Sequence, residues 1–169
     1  GSFFHLAEWE SVISQSFGFP SQYLAAEDAA GLLGVLPLFV VKRKPFGTSL
    51  MSTPLCVVGG PAALTPEAAE FLEHAAIDRA RALRVDHVEL RNADHRLDGW
   101  HTHEQFHSFI RPILKTEEAN LEAIPQHQRA DVRKALTLGL TSRTQRDIDP
   151  FYQLYADSMH RMGTPAYSK

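Results

Sequence analysis

The stretch LLGVLPLFVV, residues 32–41, limits the possible folds more than any other part of this chain, because it contains no polar side chain. It is too short to supply the ~18 apolar residues of a membrane span. A continuous apolar run of this length is typical of a strand that is covered on both faces of its sheet. Pro37 cannot donate a hydrogen bond to a neighbouring strand, so we expect a bulge or a splay there, where the sheet opens locally.

Further elements are predicted on either side of this run. A strand before it is joined to it by a turn from Asp28 to Gly31, and FGTSLMST, residues 46–53, predicts a third short strand. A helix over residues 4–17 opens the chain, with Gly18 as its C-terminal stop. The apolar face of that helix comprises Trp9, Val12, Ile13 and Phe17.

The segment PLCVVGGPAALTP, residues 54–66, is rich in proline and glycine and predicts a loop, which is a candidate site. Thr65 is the expected N-cap of the next helix and Pro66 its first residue. That helix extends to about residue 84 and is followed by the alternating strand VDHVELRN, residues 85–92. Its expected buried residues are Phe71, Leu72, Ala75, Ala76, Ala80 and Leu83, and its expected solvated residues are Glu73, Asp78, Arg79 and Arg81.

Three helices are predicted in the last third of the chain, at about 117–123, 127–138 and 149–162. Gly139 ends the second of them. In the third, Asp149 is the expected N-cap, Pro150 the first residue, and Gly163 the stop. Its expected buried stripe comprises Phe151, Leu154, Tyr155, Met159 and Met162.

Composition narrows the class of protein. A chain of 169 residues is long enough for one domain with a substantial core. With 17 basic and 20 acidic residues, it has no global field that would hold a nucleic acid or an anionic membrane. The single cysteine, Cys56, excludes an internal disulfide and fits a small buried residue without a catalytic role. No membrane span or signal sequence is recognisable, so we expect a soluble, cytoplasmic protein, and Gly1-Ser2 is typical of an expression scar.

The sequence HEQFH, residues 103–107, matches the H-E-x-x-H pattern of zinc metalloproteases. The pattern requires a helix that places His103 and His107 one turn apart, and Pro112 would break such a helix. A polar turn precedes the motif and favours a strand that pairs back onto residues 85–92, with His101, His103 and His107 on one face. We therefore predict an extended segment. A zinc hydrolase and an adventitious His-x-His metal site remain as alternatives.

Arg129, Arg133 and Lys134 form a basic cluster in the predicted helix RADVRKALTLGL. Arg129 and Arg133 are four residues apart and therefore adjacent on the helix surface. Guanidinium groups at this spacing repel each other, but an anion such as phosphate can bridge them through their planar paired donors. The cluster is a candidate phosphate site. A solvated face beside Asp131 is the alternative, and spacing alone favours it.

Over its whole length the chain resembles the FemAB family, specifically the branch associated with PEP-CTERM/exosortase exopolysaccharide loci. The resemblance lies in GLLGVLPLFVV, HVELR, RMGTPAYSK and, in a variable form, RADVRKALTLGL. It implies an α/β (α+β) fold, GNAT-like, with a mixed, mainly antiparallel central sheet flanked by helices. Residues 1–148 would form the first GNAT-like domain. Residues 149–169 would form a connecting helix and the start of a second, missing GNAT-like domain.

FemAB relatives transfer an amino acid from aminoacyl-tRNA to an amine on a peptidoglycan precursor. The resemblance therefore implies the N-terminal half of an aminoacyl- or acyltransferase, inactive alone, at the inner face of the cell membrane. Its implied partners are a lipid- or nucleotide-linked cell-envelope precursor, the second domain and aminoacyl-tRNA. Arg133 and Lys134 are the implied phosphate contacts, with Lys169 as a weaker addition. Arg129 belongs to the candidate phosphate-binding set through its place in the basic cluster.

No cofactor is expected. GNAT acetyltransferases hold acetyl-CoA on the backbone N–H groups of a Gly-rich loop, and no such string occurs here, where Pro61 and Pro66 remove two donors near Gly59-Gly60. The catalytic residues are unknown. Asp94, His95 and Asp98 are candidates for the general base, with a solvated turn as the alternative. The alternative function is a non-catalytic binding or dimerisation module, and the isolated half is expected to self-associate through an exposed apolar patch.

We predict that residues 100–111 bind no stoichiometric zinc, because an extended segment cannot bring His103 and His107 to one metal ion. Metal analysis of the purified protein checks this. One tightly held zinc ion per chain that is lost in the His103→Ala variant would show the prediction to be wrong.

Overall fold

The computed structural model describes residues 1–92, 99–103, 107 and 109–169. The chain forms two compact units, Gly1–Gln105 and Phe106–Lys169. The predicted mixed fold is confirmed: the described residues contain five α-helices and two small, mainly antiparallel sheets. The predicted boundary between residues 148 and 149 concerns a second domain and stays a prediction.

The first unit begins with helical segments and continues with strands. A short 3-10 helix, Phe3–His5, precedes helix α1, Glu8–Phe17, which ends at Gly18 with a φ of 66°. The single helix predicted over residues 4–17 is thus divided, because Leu6 adopts an extended backbone. The elements that follow are β1 (Leu24–Asp28), β2 (Gly31–Leu36), β3 (Leu38–Arg43), β4 (Gly47–Ser52), β5 (Ala62–Ala63), α2 (Pro66–Leu83) and β6 (His87–Glu89).

Local side-chain contacts explain where several of these elements begin and end. The Asp28 carboxylate accepts the N–H groups of Ala30 and Gly31 at 2.7 and 3.1 Å, which confirms the predicted turn between β1 and β2. Thr65 accepts the N–H of Ala68 at 3.2 Å and Pro66 begins α2, so the predicted cap is also confirmed. The last predicted strand is shorter than expected, with only His87–Glu89 in ladder geometry.

The two sheets have the strand orders β1-β2-β5 and β3-β4-β6. β1 pairs with β2 and β3 pairs with β4, both in antiparallel orientation, whereas β6 is parallel to β4. Only Pro37 separates β2 from β3, so one extended stretch from residue 31 to residue 43 belongs to both sheets. A parallel partner for β4 requires a crossover, and α2 provides it.

The pairing partner of this long stretch changes at Pro37. Before the proline β2 pairs with β5, and after it β3 pairs with β4. The carbonyl of Pro37 accepts the N–H of Thr53 at 3.3 Å, so the acceptor is satisfied although the residue has no donor. The predicted local opening of the sheet at Pro37 is therefore confirmed.

Helix α2 covers the sheets through a face that confirms the prediction at Leu72, Ala76 and Ala80 and differs from it at Phe71 and Glu73. Ala68, Leu72, Ala76 and Ala80 repeat every four residues and are buried. The side chain of Phe71 is 64% exposed, and that of Glu73, predicted to be solvated, is fully buried. A row with a spacing of four residues turns by about 40° around the helix at each step, towards the side of Glu73 and away from that of Phe71. The main core comprises Ala26, Leu36, Leu38, Leu50, Leu72, Ala76 and Ala80.

The second unit consists of helices α3 (Glu117–Glu122), α4 (Gln126–Leu136) and α5 (Asp149–Arg161). None of these helices, all three of them fully described, contains a buried residue. Throughout the described part of the chain, no helix is both long and apolar enough to cross a lipid bilayer. The described residues of the segment 100–111 form neither a helix nor the predicted strand, and Glu104, Gln105 and Phe106 of the HEQFH motif lie outside the described residues.

Helix α5 departs from its prediction at both its cap and its face. Ile148, not Asp149, is the N-cap, and the Asp147 carboxylate accepts the N–H of Asp149 at 3.1 Å. The predicted buried stripe is largely exposed, with fractions of 66% for Phe151, 71% for Leu154 and 62% for Met162. An apolar stripe indicates a face that can be buried, whereas its burial also requires a partner element.

The last residues lie along α5 instead of extending away from it. The Tyr152 hydroxyl donates to the carbonyl of Tyr167 at 2.9 Å, and the Tyr167 N–H donates to the Tyr155 hydroxyl at 3.2 Å. Lys169 forms an ion pair with Asp149 at the start of the helix. The segment after Gly163, predicted to be an extended connection, is therefore attached to α5 in this structure.

We predict that Leu72→Ala lowers the free energy of unfolding by about 2–5 kcal/mol, because it leaves a cavity in the main core. Phe71→Ala is the matched control and should cost about 0.5 kcal/mol, since that side chain is mostly exposed. Urea denaturation of both variants measures the difference. Equal losses would mean that the assignment of the buried face of α2 is wrong.

Candidate functional site

A cleft of about 430 Å³ lies beside the loop that the sequence identified as a candidate site. Its walls come from the N-terminal turn, from the loop around Gly60, from β5, from Ala69 of α2 and from Asn92, which follows β6. Such a volume lies in the range of about 300–1,000 Å³ that small-ligand sites occupy. The cleft is therefore large enough for part of a substrate or for a short segment of a larger ligand.

Arg91 fixes the loop that forms one wall. Its carbonyl accepts the N–H groups of Gly59 and Gly60 at 2.9 and 3.1 Å, and its guanidinium donates to the carbonyl of Cys56 at 2.5 Å. Its own N–H donates to the Ser52 hydroxyl at 2.8 Å. Because one residue satisfies groups along the whole loop, the loop is held against the end of β6.

Gly59 and Gly60 are glycines because neighbouring polar side chains occupy the space of a Cβ. A Cβ on Gly59 would lie 1.4 Å from the Thr53 hydroxyl oxygen, and one on Gly60 would lie 1.9 Å from Asn92 Oδ1. The close approach of Thr53 and Asn92 explains this pair of glycines, and the binding of an anion does not. Their N–H groups already donate to Arg91, so neither is directed at a phosphate.

Behind the loop, Asn92 connects the end of the β6 segment to helix α2. Its Nδ2 donates to Glu73 Oε1 at 3.2 Å. Its Oδ1 is buried against Gly60 and accepts no hydrogen bond from any described residue. Neither side chain was predicted from the sequence to belong to a site. The available signals were a glutamate at the spacing of Ala76 and Ala80, and a polar residue directly after a strand.

His5 closes the cleft from the N-terminal side. Its Nδ1 accepts the N–H of Ser2 at 3.0 Å, which assigns the hydrogen of the neutral ring to Nε2. Nε2 then donates to the carbonyl of Gly60 at 2.6 Å. The imidazole therefore anchors the N-terminal turn to the loop, and both of its nitrogens are engaged in this structure.

Cys56 is a buried residue of the same loop and is not suited to act as a nucleophile. Burial raises the pKa of its thiol, and the positive charge of Arg91 only partly opposes this effect. Since the thiolate is the reactive form, a raised pKa leaves the thiol protonated and unreactive near neutral pH.

The predicted phosphate-binding residues are in the second unit. Arg133 and Lys134 are exposed neighbours in the last turn of α4, where the helix dipole favours cations. Arg129 donates through Nε to the carbonyl of Ile124 at 2.8 Å, and Lys169 is paired with Asp149. The structure thus leaves Arg133 and Lys134 as the more accessible members of the predicted set. The candidate bases Asp94, His95 and Asp98 lie outside the described residues.

No protein-family model, no curated protein and no solved structure matches this chain. The FemAB resemblance therefore remains a hypothesis based on the quoted sequence segments. The structural support for any function lies in the geometry of the cleft and in the positions of the basic side chains.

We predict that Gly60→Ala lowers the free energy of unfolding by about 1–3 kcal/mol, because the new methyl group collides with Asn92. Asn92→Ala in the same chain should remove much of this loss, since it deletes the colliding oxygen. A double-mutant cycle from denaturation curves measures the coupling. Strictly additive effects would contradict the contact. Gly18→Ala is a control for backbone strain alone, because nothing lies within 4 Å of a Cβ there.

Proposed function

We propose that this chain is the N-terminal half of a FemAB-like aminoacyl- or acyltransferase that acts on a cell-wall or exopolysaccharide precursor. The sequence resemblance motivates the proposal. The structural observation that supports it best is the arrangement of β4, α2 and β6, in which a helix connects the last strand of an antiparallel series to a parallel strand. A mixed sheet of this kind, in a chain whose other sheet is fully antiparallel, supports the proposal of a GNAT-like architecture.

Such a transfer requires little of the protein beyond the positioning of the amine and the acyl ester. The amine nitrogen forms a bond to the acyl carbon, the ester C–O bond breaks, and the amine proton passes through a base to the leaving oxygen. Proximity and proton removal supply most of the acceleration for an activated ester. No protein nucleophile is required, in agreement with the buried thiol of Cys56.

In this proposal the second unit recognises the charged part of the precursor. Arg133 and Lys134 would bind the phosphate groups of a lipid- or nucleotide-linked precursor through charge-assisted hydrogen bonds. The protein would then act in the cytoplasm, at the inner face of the membrane. A second GNAT-like domain would complete the active site, and aminoacyl-tRNA is the proposed acyl donor.

Neutralising both Arg133 and Lys134 should weaken the binding of a pyrophosphate-bearing precursor by about 2 kcal/mol or more, because two charge-assisted contacts are lost. Calorimetric titration measures the effect. Neutralising Arg143 and Arg146, two exposed cations of the same unit outside the proposed site, is the matched control. Identical titration curves for wild type and the Arg133/Lys134 variant would remove the phosphate assignment.

We expect the 169-residue chain alone to catalyse no acyl transfer, because the proposed active site needs a second domain. The test compares this chain with a longer product that includes that domain, using a charged tRNA or another activated ester as donor. Equal turnover by both would place the whole active site within these residues and contradict the two-domain proposal.

A non-catalytic binding or dimerisation module is the second candidate, and the exposed apolar side chains of the second unit favour it. Phe109, Ile110 and Ile113 are 94–95% exposed, and α5 exposes Phe151 and Leu154 as well. Exposed apolar patches of several hundred Å² typically mark interaction surfaces. A concentration-dependent increase in mass by sedimentation, reduced in an Ile110→Ser/Ile113→Ser variant, would support this candidate. A strictly monomeric protein without transfer activity in any form would support neither self-association nor catalysis.

A further inference from the structure

The hairpin between β3 and β4 projects from the packed part of the first unit. Val41 of β3 and Ser49 of β4 are buried and face each other in the ladder. Every residue from 42 to 47 is exposed. Successive side chains of a strand point to opposite faces, so consecutive exposed residues mean that neither face of the sheet is covered there. We call residues 42–47 the basic tip.

The basic tip carries three consecutive cations, Lys42, Arg43 and Lys44, and its sequence contains no acidic residue. Among the described residues, none forms an ion pair with any of these three side chains. The chain as a whole has a formal net charge of -3, so the attraction of this segment for anions is a local property. The charges of the tip are therefore available to a partner.

Asp86 is the acidic side chain in contact with the base of the hairpin. Its carboxylate accepts the N–H of Thr48 at 2.7 Å and so has a structural role. Since β6 is parallel to β4, the residues just before β6 lie at the same end of the sheet as the basic tip. Arg84, which is exposed, is one of them and offsets the charge of Asp86. This end of the sheet therefore remains cationic.

Phe46 lies in the turn of the basic tip, and its side chain is 82% exposed. It stacks on no other aromatic ring of the described residues. Its neighbours Pro45 and Gly47 have no polar side chain. Transfer of so large an apolar surface out of water is favourable, so the turn gains from an apolar partner. The tip thus combines an apolar turn with cations directly before it.

This combination fits the surface of an anionic lipid bilayer. Membrane-surface segments place Phe, Trp or Leu at the boundary between headgroups and acyl chains and Lys or Arg among the headgroups. Anionic headgroups attract such cations over a distance of about a Debye length. Single-stranded nucleic acid requires a basic groove with several rings on which successive bases stack. A narrow hairpin turn with one ring suits the bilayer better.

We propose that the first unit docks on an anionic lipid bilayer through the basic tip, with Phe46 inserted among the headgroups and residues 42–44 bound to their negative charges. A single aromatic side chain and a few cations give weak, reversible and salt-sensitive attachment. The inference does not rest on the acyltransferase proposal, because it concerns neither Arg133 and Lys134 nor a chemical step. Its test therefore needs no transfer activity.

The test is cosedimentation of the whole chain with vesicles at low ionic strength, either of phosphatidylcholine alone or of equal parts phosphatidylcholine and phosphatidylglycerol. We expect binding to the anionic vesicles only. Arg43→Gln/Lys44→Gln should weaken it about tenfold or more, because each cation near the surface contributes to the attraction. Arg143→Gln/Arg146→Gln removes the same charge from the second unit and should change it less than about twofold. Absence of wild-type binding, or an equal loss in this control, would overturn the proposal.

Phe46 separates insertion from charge attraction alone. Phe46→Ala should weaken binding to the anionic vesicles about threefold or more, whereas Phe46→Trp should retain it, because tryptophan also favours the membrane interface. Unchanged binding by Phe46→Ala would overturn the insertion. A single-stranded RNA that binds through Arg43 and Lys44, while wild type ignores the anionic vesicles, would replace the bilayer by a nucleic acid and overturn the proposal.

A measurement on wild type covers the case of a variant that does not fold. Nanodiscs of the same anionic lipid, added to the ¹⁵N-labelled chain, should broaden the amide signals of residues 42–44, 46 and 47 more than those of other exposed residues. Broadening that is uniform along the chain, or absent, would overturn the assignment of the basic tip as the docking segment.

Discussion

The change of pairing partner at Pro37 determines where this fold has room for a site. Leu36, Leu38 and Phe39 are all fully buried, so the long strand must be covered on both faces. β5 pairs with its first half and β4 with its second half. The chain between β4 and β5 must therefore leave one sheet and return to the edge of the other. Residues 53–61 make that excursion, and the cleft lies beside it.

Residues 53–61 lie outside the strands of both sheets, and hydrogen bonds to Arg91 hold them in place. Its carbonyl, amide and guanidinium bind Gly59, Gly60, Ser52 and Cys56. The two glycines allow this approach, because side chains at these positions would overlap Thr53 and Asn92. The shape of the cleft wall thus depends on backbone contacts that small residues permit.

Features governed by neighbouring residues were predictable from the sequence, whereas those governed by distant contacts were not. The Asp28 turn and the Thr65 cap each require only a side chain and an N–H two or three residues away. Glu73 and Phe71 were assigned to the wrong environments because helical periodicity gives the spacing of a buried row but not its exact rotation. Asn92 was missed since its role depends on Glu73 and Gly60, which are distant in sequence.

The cleft of the first unit and the basic cluster of the second differ in the charge of the groups that they expose for recognition. The cleft in the first unit is lined mainly by backbone groups and small side chains. Arg133 and Lys134 in the second unit are exposed cations, which suit a phosphate. Salt screens exposed cations strongly and backbone hydrogen bonds in a cleft much less. The ionic-strength dependence of binding would therefore distinguish the two features within the same molecule.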